Sequence, residues 1–223
     1  MNEDGAFLRI AHRGYARAER ENSVEAFANA IRRGADALEM DVRRRADGVL
    51  VVHHDSAGAP AAATLEAVLE LASSAGVEVN LDMKVGGVAG DVIEEVRAAG
   101  MLGRASCTGG DWAMLREIHR REPGIRAGIT VPRRLAPRGT RIVQRLWYGL
   151  RLPALLRAYD AGLISANHVL VNRLIVWRVH RAGAQVWAWT VDDPREIARL
   201  ARIGVDGIAS DDPASHGLPA LDG

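Results

Sequence analysis

The chain has 223 residues, 48% hydrophobic and 26% charged, enough for one well-buried core and too few for two ordinary domains, so one domain over residues 1–223 is expected. This composition excludes a disordered, collagenous or membrane-spanning chain. Its 29 basic and 28 acidic side chains give a net charge of +1, which offers no electrostatic case for nucleic acid as a partner.

From Met1 to Gly5 the sequence is acidic, and the apolar stretch Ala6 to Ala11 lacks the length and basic flank of a signal peptide. Cys107 is the only cysteine, which rules out an intrachain disulfide and a cysteine-built zinc site, so a reducing, cytoplasmic location is expected. Short apolar runs then alternate with segments whose apolar residues recur every three or four positions. Strand Leu8 to Ala11 precedes helix Ser23 to Arg33, and strand Ala37 to Val42 precedes helix Thr64 to Ser73. Strand Val77 to Met83 leads to helix Val88 to Ala99, and Arg104 to Cys107 to helix Asp111 to Arg121. Strand Arg126 to Val131 is followed by helix Pro153 to Ala161, and Leu163 to Ala166 by Arg173 to Ala182. Strand Gln185 to Val191 leads to helix Asp193 to Ile203, with Asp193 as cap, Glu196 completing a capping box and Gly204 as stop. An eighth strand, Gly207 to Ser210, leaves thirteen residues. The pattern predicts an α/β fold, a (β/α)8 TIM barrel slightly trimmed at its C-terminus. The first βα turn, Ala11 to Tyr15, lacks the spaced glycines of a dinucleotide site.

After the second strand, Val42 to Ala46 and Val49 to His53 flank Asp47-Gly48, a pair that favours a two-residue hairpin. That register sets Asp41 opposite His54; a one-residue slip substitutes His53.

Barrel enzymes carry their reacting groups where strands end and βα loops begin. The first strand ends in His12-Arg13, the second carries Glu39 and Asp41 at period two, and the third ends in Asp82-Met83-Lys84. Alternation puts Glu39 and Asp41 on one face with Met40 on the other. Three carboxylates supply hard oxygen ligands that suit Mg²⁺ or Ca²⁺. Two histidines flanking a metal-bound phosphate can act as general base and general acid, and Arg13 and Lys84 add charge for phosphate oxygens. Lys84 is the only lysine beside 28 arginines, as expected for a site that needs a compact ammonium.

The run I-A-H-R-G, then E-N-S-V-E-A-F-A-N-A, G-A-D-A-L-E-M-D-V-R and D-G-V-L-V-V-H-H-D resembles the N-terminal signature of the glycerophosphodiester phosphodiesterases. N-L-D-M-K, W-A-W-T-V-D and G-V-D-G-I-A-S-D-D-P resemble that family's later motifs, in the same order along the chain. The resemblance implies a barrel, a divalent metal (Mg²⁺ or Ca²⁺), and hydrolysis of a glycerophosphodiester to sn-glycerol 3-phosphate and an alcohol; a lysophospholipid is the other candidate substrate. By position it makes His12 and His54 the acid-base pair, Glu39, Asp41 and Asp82 the metal ligands, and Arg13 and Lys84 the phosphate clamp. Trp189 falls where the family sets an aromatic wall against the glycerol moiety, a place that a barrel-filling role explains equally well. Three positions depart from the pattern. Asp82 stands where many members carry glutamate, and its D-x-K spelling is closer to the related sphingomyelinase D branch. The insertion usual after His54-Asp55 is nearly absent, which should open the pocket there. Arg20 replaces a usual proline. Two alternative readings are a phospholipase D-like enzyme that cleaves lysolipids through a cyclic phosphate, and a non-catalytic barrel that binds a phosphate ligand or serves as a membrane adaptor.

Val131 to Arg157 contains Arg133, Arg134, Arg138, Arg141, Arg145, Arg151 and Arg157 and no acid, with Leu146, Trp147, Tyr148 and Leu150 among them. Leaving the catalytic face after strand five, it is a candidate lid or peripheral membrane contact, against a solvated connection with apolar anchors. His119, His168 and His180 read as structural, His216 as solvated, and Trp112, Trp177 and Trp187 as filling between helices and barrel. Cys107 reads as a small buried residue.

Overall fold

The computed structural model describes residues 7–15, 20–55, 62–131 and 136–213. Eight parallel strands close a barrel in the order β1 (Leu8–His12), β2 (Ala37–Arg44), β5 (Glu78–Met83), β6 (Ala105–Gly109), β7 (Ile125–Val131), β8 (Leu163–Asn167), β9 (Gln185–Trp189) and β10 (Gly207–Ser210), with β10 back against β1. Between β2 and β5 the sheet is extended by two short antiparallel strands, β3 (Leu50–Val52) and β4 (Ala63–Thr64). The helices are α1 (Val24–Arg32), α2 (Leu65–Ala75), α3 (Ala89–Ala98), α4 (Trp112–Arg121), α5 (Arg141–Ala158), α6 (Arg173–Arg181) and α7 (Pro194–Arg202). This is the expected (β/α)8 barrel. The residues that would form or omit an eighth helix, His216 among them, lie outside the described ones, as do Arg133 and Arg134.

Strand alternation divides the core into layers. Leu38, Met40 and Val42 of β2 and Val79, Leu81 and Met83 of β5 point outward into the layer under α1 to α4. Ile129, Val186 and Ile208 do the same under α5 to α7. A smaller cluster of Ile10, Ala37, Leu163, Trp187 and Ala209 fills the barrel. Trp187 therefore lies inside the barrel rather than outside it, and Gly207 makes this possible: a Cβ there would sit 2.7 Å from Trp187 Cδ1. Trp177 is 54% exposed, so the expected filling role fails for it as well. Trp112 is half-buried edge-on to Tyr159.

Three local expectations are corrected. The hairpin has a three-residue loop, Ala46 to Gly48, in which Gly48 at φ 94° closes back on the Arg45 carbonyl. Val42 pairs with Val52, and the His53 N–H donates to the Asp41 carbonyl at 2.9 Å, so His53 rather than His54 lies opposite Asp41. Next, α5 begins at Arg141 with Pro153 in its interior. A mid-helix proline leaves the carbonyl four residues earlier without its partner; here that carbonyl, on Gly149, accepts from Arg178 Nη1 of α6 at 2.8 Å. Finally, Glu196 forms no capping box. Asp193 caps Arg195 N–H, and Glu196 pairs with Arg199 and His168. His119 and His180 are tied to the Ile125 carbonyl and Asp206, and burial pushes the Cys107 thiol up to about 12.

Candidate active site

The C-terminal ends of the strands open into a cavity walled by His12, Arg13, Glu39, Asp82, Lys84, Trp187 and Trp189, with Asn80, Thr108, Thr130 and Ser165 below them. β2 and β5 run in register, Asp41 beside Asp82 and Glu39 beside Asn80, while His12 of β1 lies beside Glu39. Parallel pairing thus brings residues forty positions apart in sequence to one point.

One oxygen from each of Glu39, Asp41 and Asp82 lies within 4.8 Å of the others. Burial, then the charges of Asp41 and Asp82, pushes the Glu39 carboxyl up to about 7, although His12 and Lys84 pull the other way. Asp41 is also buried, but Lys84 and Arg13 and a hydrogen bond from Asn22 hold it below the usual carboxylate range. Burial raises Asp82 despite Lys84. Lys84 Nζ bridges Asp41, at 2.9 Å, and Asp82, and Arg13 Nε lies 2.9 Å from Asp41. Asp41 Oδ1 is buried against that ammonium. A compact, all-oxygen donor set is the chemistry that a divalent cation requires, and these three residues fit one.

The β1–α1 turn is built to aim Arg13. Arg13 has φ 58° and donates its N–H to the Glu39 carbonyl and to Glu39 Oε2, and its guanidinium also reaches Glu21. Gly14 follows at φ 85°, where a Cβ would meet the Ala26 backbone at 2.7 Å. Only glycine lets the turn pass so close to α1.

Two residues here were given no role by the sequence. Buried Asn22, at φ 57°, donates to Asp41 Oδ2 at 3.0 Å and accepts from the Asp41 N–H at 3.2 Å. Asp211 takes His12 Nδ1 at 2.7 Å. Both stand inside quoted motifs, Asn22 just before the Ser23 cap and Asp211 in S-D-D-P, yet nothing local to either marks its partner. Asn22→Gly keeps the backbone conformation and removes the amide. It is expected to lower unfolding free energy by about 1–3 kcal/mol, the cost of leaving buried polar groups unpaired, read as a shifted denaturant midpoint at constant slope; an unchanged midpoint would show that the amide contributes nothing.

The His12 ring lines the cavity. Burial works against its charge, but the Asp211 hydrogen bond and the Glu39 charge raise its pKa. Trp189 also forms cavity wall, its Nε1 buried without a partner, as is Thr130 Oγ1. His54 is not among the wall residues. It follows the hairpin with a side chain 44% exposed and Nδ1 3.1 Å from Asp55.

The model of the glycerophosphoryl diester phosphodiesterase family matches residues 12–72 and 62–215. A glycerophosphodiester phosphodiesterase of Arabidopsis thaliana is 29% identical over 93% of this chain and 71% of its own length. One from Caldanaerobacter subterraneus is 25% identical over 92% of this chain and 94% of its own. The solved structure of an Oleispira antarctica phosphodiesterase in complex with the product sn-glycerol-3-phosphate superposes with a TM-score of 0.76 at 20% identity, covering 95% of each chain.

Proposed function

The chain belongs to the glycerophosphoryl diester phosphodiesterase family, and from that premise we propose that it hydrolyses small glycerophosphodiesters to sn-glycerol 3-phosphate and an alcohol, with a divalent metal, Mg²⁺ or Ca²⁺, held by Glu39, Asp41 and Asp82. The observation that carries this reading is the convergence of three carboxylates, His12, Arg13 and Lys84 on one cavity at the strand ends. When bound, the cation supplies Lewis-acid polarisation of the phosphoryl oxygens.

The chain's own groups do the rest. Arg13 and Lys84, which here neutralise the acids, hold the phosphodiester's charge at the cavity wall. With Nδ1 fixed by Asp211, His12 has Nε2 left to hand a proton to the departing alkoxide. His54, after exchanging its contact with Asp55, takes the proton from the water whose oxygen bonds phosphorus as the P–O bond to the departing alkoxide breaks. The unpaired Trp189 Nε1 and Thr130 Oγ1 offer a donor and a hydroxyl to the glycerol hydroxyls, with the indole face as the apolar wall.

The test is phosphorus NMR of the metal-reconstituted protein with glycerophosphocholine, glycerophosphoinositol and lysophosphatidylcholine. Accumulation of sn-glycerol 3-phosphate from the first two is the expected result. A cyclic phosphate from the lysolipid as end product would move the chain to phospholipase D-like chemistry, and no turnover of any of the three would leave a binding module.

A further inference from the structure

Although the chain's net charge is +1, residues 123–191 hold eleven arginines and one acid, Asp160, leaving 18 basic and 27 acidic residues elsewhere. This segment includes α5, which has 18 residues where the other helices have 9 to 11. At about 1.5 Å per residue it is roughly 10 Å longer than its neighbours. Its inward stripe, Gly149, Leu152 and Leu156, packs on the barrel from the C-terminal half. The excess is therefore at the N-terminal half, the end that follows β7 on the cavity side, where Arg145 binds the Val169 carbonyl of the loop after β8.

That half carries a second apolar stripe. Ile142, Val143, Leu146, Trp147 and Leu150 recur at helical spacing and are 45–68% exposed. The stripe continues onto α6. Leu150 and Trp177 line one shallow groove with Arg157, Arg178 and Arg181, and Leu174 adjoins Trp177 in the next. Among the described residues, seven of the nine exposed large hydrophobics are on these two helices. Arg151 lies over the Trp147 ring and Arg181 over Trp177, at 5.1 and 5.2 Å.

Arginines interleaved with exposed tryptophan and aliphatic side chains match a bilayer interface, where anionic headgroups meet acyl chains. A second copy of the same face would oppose like charge to like. A nucleic acid backbone would leave Ile142, Val143, Leu146 and Leu150 with nothing to pack on. We propose that the outer face of α5 and α6 docks the protein on an anionic lipid surface, with the overhanging half of α5 holding the barrel mouth near the headgroups. No helix among the described residues is long and apolar enough to cross a membrane, so the contact is peripheral. It does not depend on the assigned reaction.

Flotation of the intact chain with phosphatidylcholine vesicles, with and without phosphatidylglycerol, tests it. The expected result is binding to the anionic vesicles at low salt and release at high salt. At about 1 kcal/mol per arginine near the surface, Arg151→Ser with Arg181→Ser should lower partitioning roughly thirtyfold. Leu146→Asp with Trp147→Asp should abolish it at an unchanged melting temperature. Brominated lipid should quench part of the wild-type tryptophan emission, a readout that needs no variant. The proposal is overturned by absence of flotation on anionic vesicles at low salt, by flotation that both variants leave intact, or by absence of quenching. A concentration-dependent dimer that Trp147→Asp disperses would assign the face to a second copy. Single-stranded RNA binding insensitive to Leu146→Asp would assign it to nucleic acid.

Discussion

Exhaustive chelation is expected to lower hydrolysis of glycerophosphocholine by about a thousandfold or more, since a Lewis acid at the phosphoryl oxygens contributes several kcal/mol to the transition state. The fold should persist. Lys84 and Arg13 lie against Asp41, and Lys84 against Asp82, so cations of the chain's own balance part of the acids' charge. The chelated protein should therefore keep its cooperative melt, unlike a small domain whose core is built around zinc. Adding back Mg²⁺ and Ca²⁺ separately should restore turnover and show which ion the site takes. Asp41→Asn should mimic chelation and resist rescue by either ion. Full turnover in excess chelator, with metal content far below one ion per chain, would refute the metal assignment.

Replacing His12 by alanine should reduce kcat about 10²- to 10⁴-fold, the usual contribution of a positioned general acid or base, with little change in KM. The deficit should shrink on a p-nitrophenyl diester, whose leaving group departs without a proton. Equal deficits on both substrates would deny His12 the role of acid. Asp211→Asn should cost less, because it orients the ring and raises its pKa without touching substrate. His54→Ala should also cost less than His12→Ala, because His54 lies outside the cavity wall and its half-exposed ring stays wet.

Most of the barrel could be read in advance because its signals are short-range. Period-two alternation in Ala37 to Val42 set Glu39 and Asp41 on one face, and the core clusters show Leu38, Met40 and Val42 on the other. Ser23, Thr64, Asp111 and Asp193 all cap the helices they were expected to begin. Two expectations fail where a distant partner overrides a local rule, and one where a neighbouring side chain does. Pro153 reads locally as a helix start, since a helix running through it would strand the Gly149 carbonyl; Arg178, 29 residues along the chain, satisfies that group, and the helix runs through. Asp47-Gly48 pointed to a two-residue turn, but Asp47 binds Arg45 and the Val49 N–H within a three-residue loop, shifting the register so that His53 faces Asp41. Trp187 looked like packing for the outer layer until Gly207 left room for it inside.

The sequence by itself determined the eight barrel strands, the acids and basic groups at three strand ends, and the family, since alternation, caps and motif order are properties of neighbouring residues. Only the tertiary structure decided that Asn22 grips Asp41, that Asp211 holds His12, that Lys84 sits among the acids, and that α5 and α6 share one exposed apolar and cationic face. Each of these depends on strands or helices meeting in space from distant parts of the chain, and the side chains involved carry no local mark of their partner.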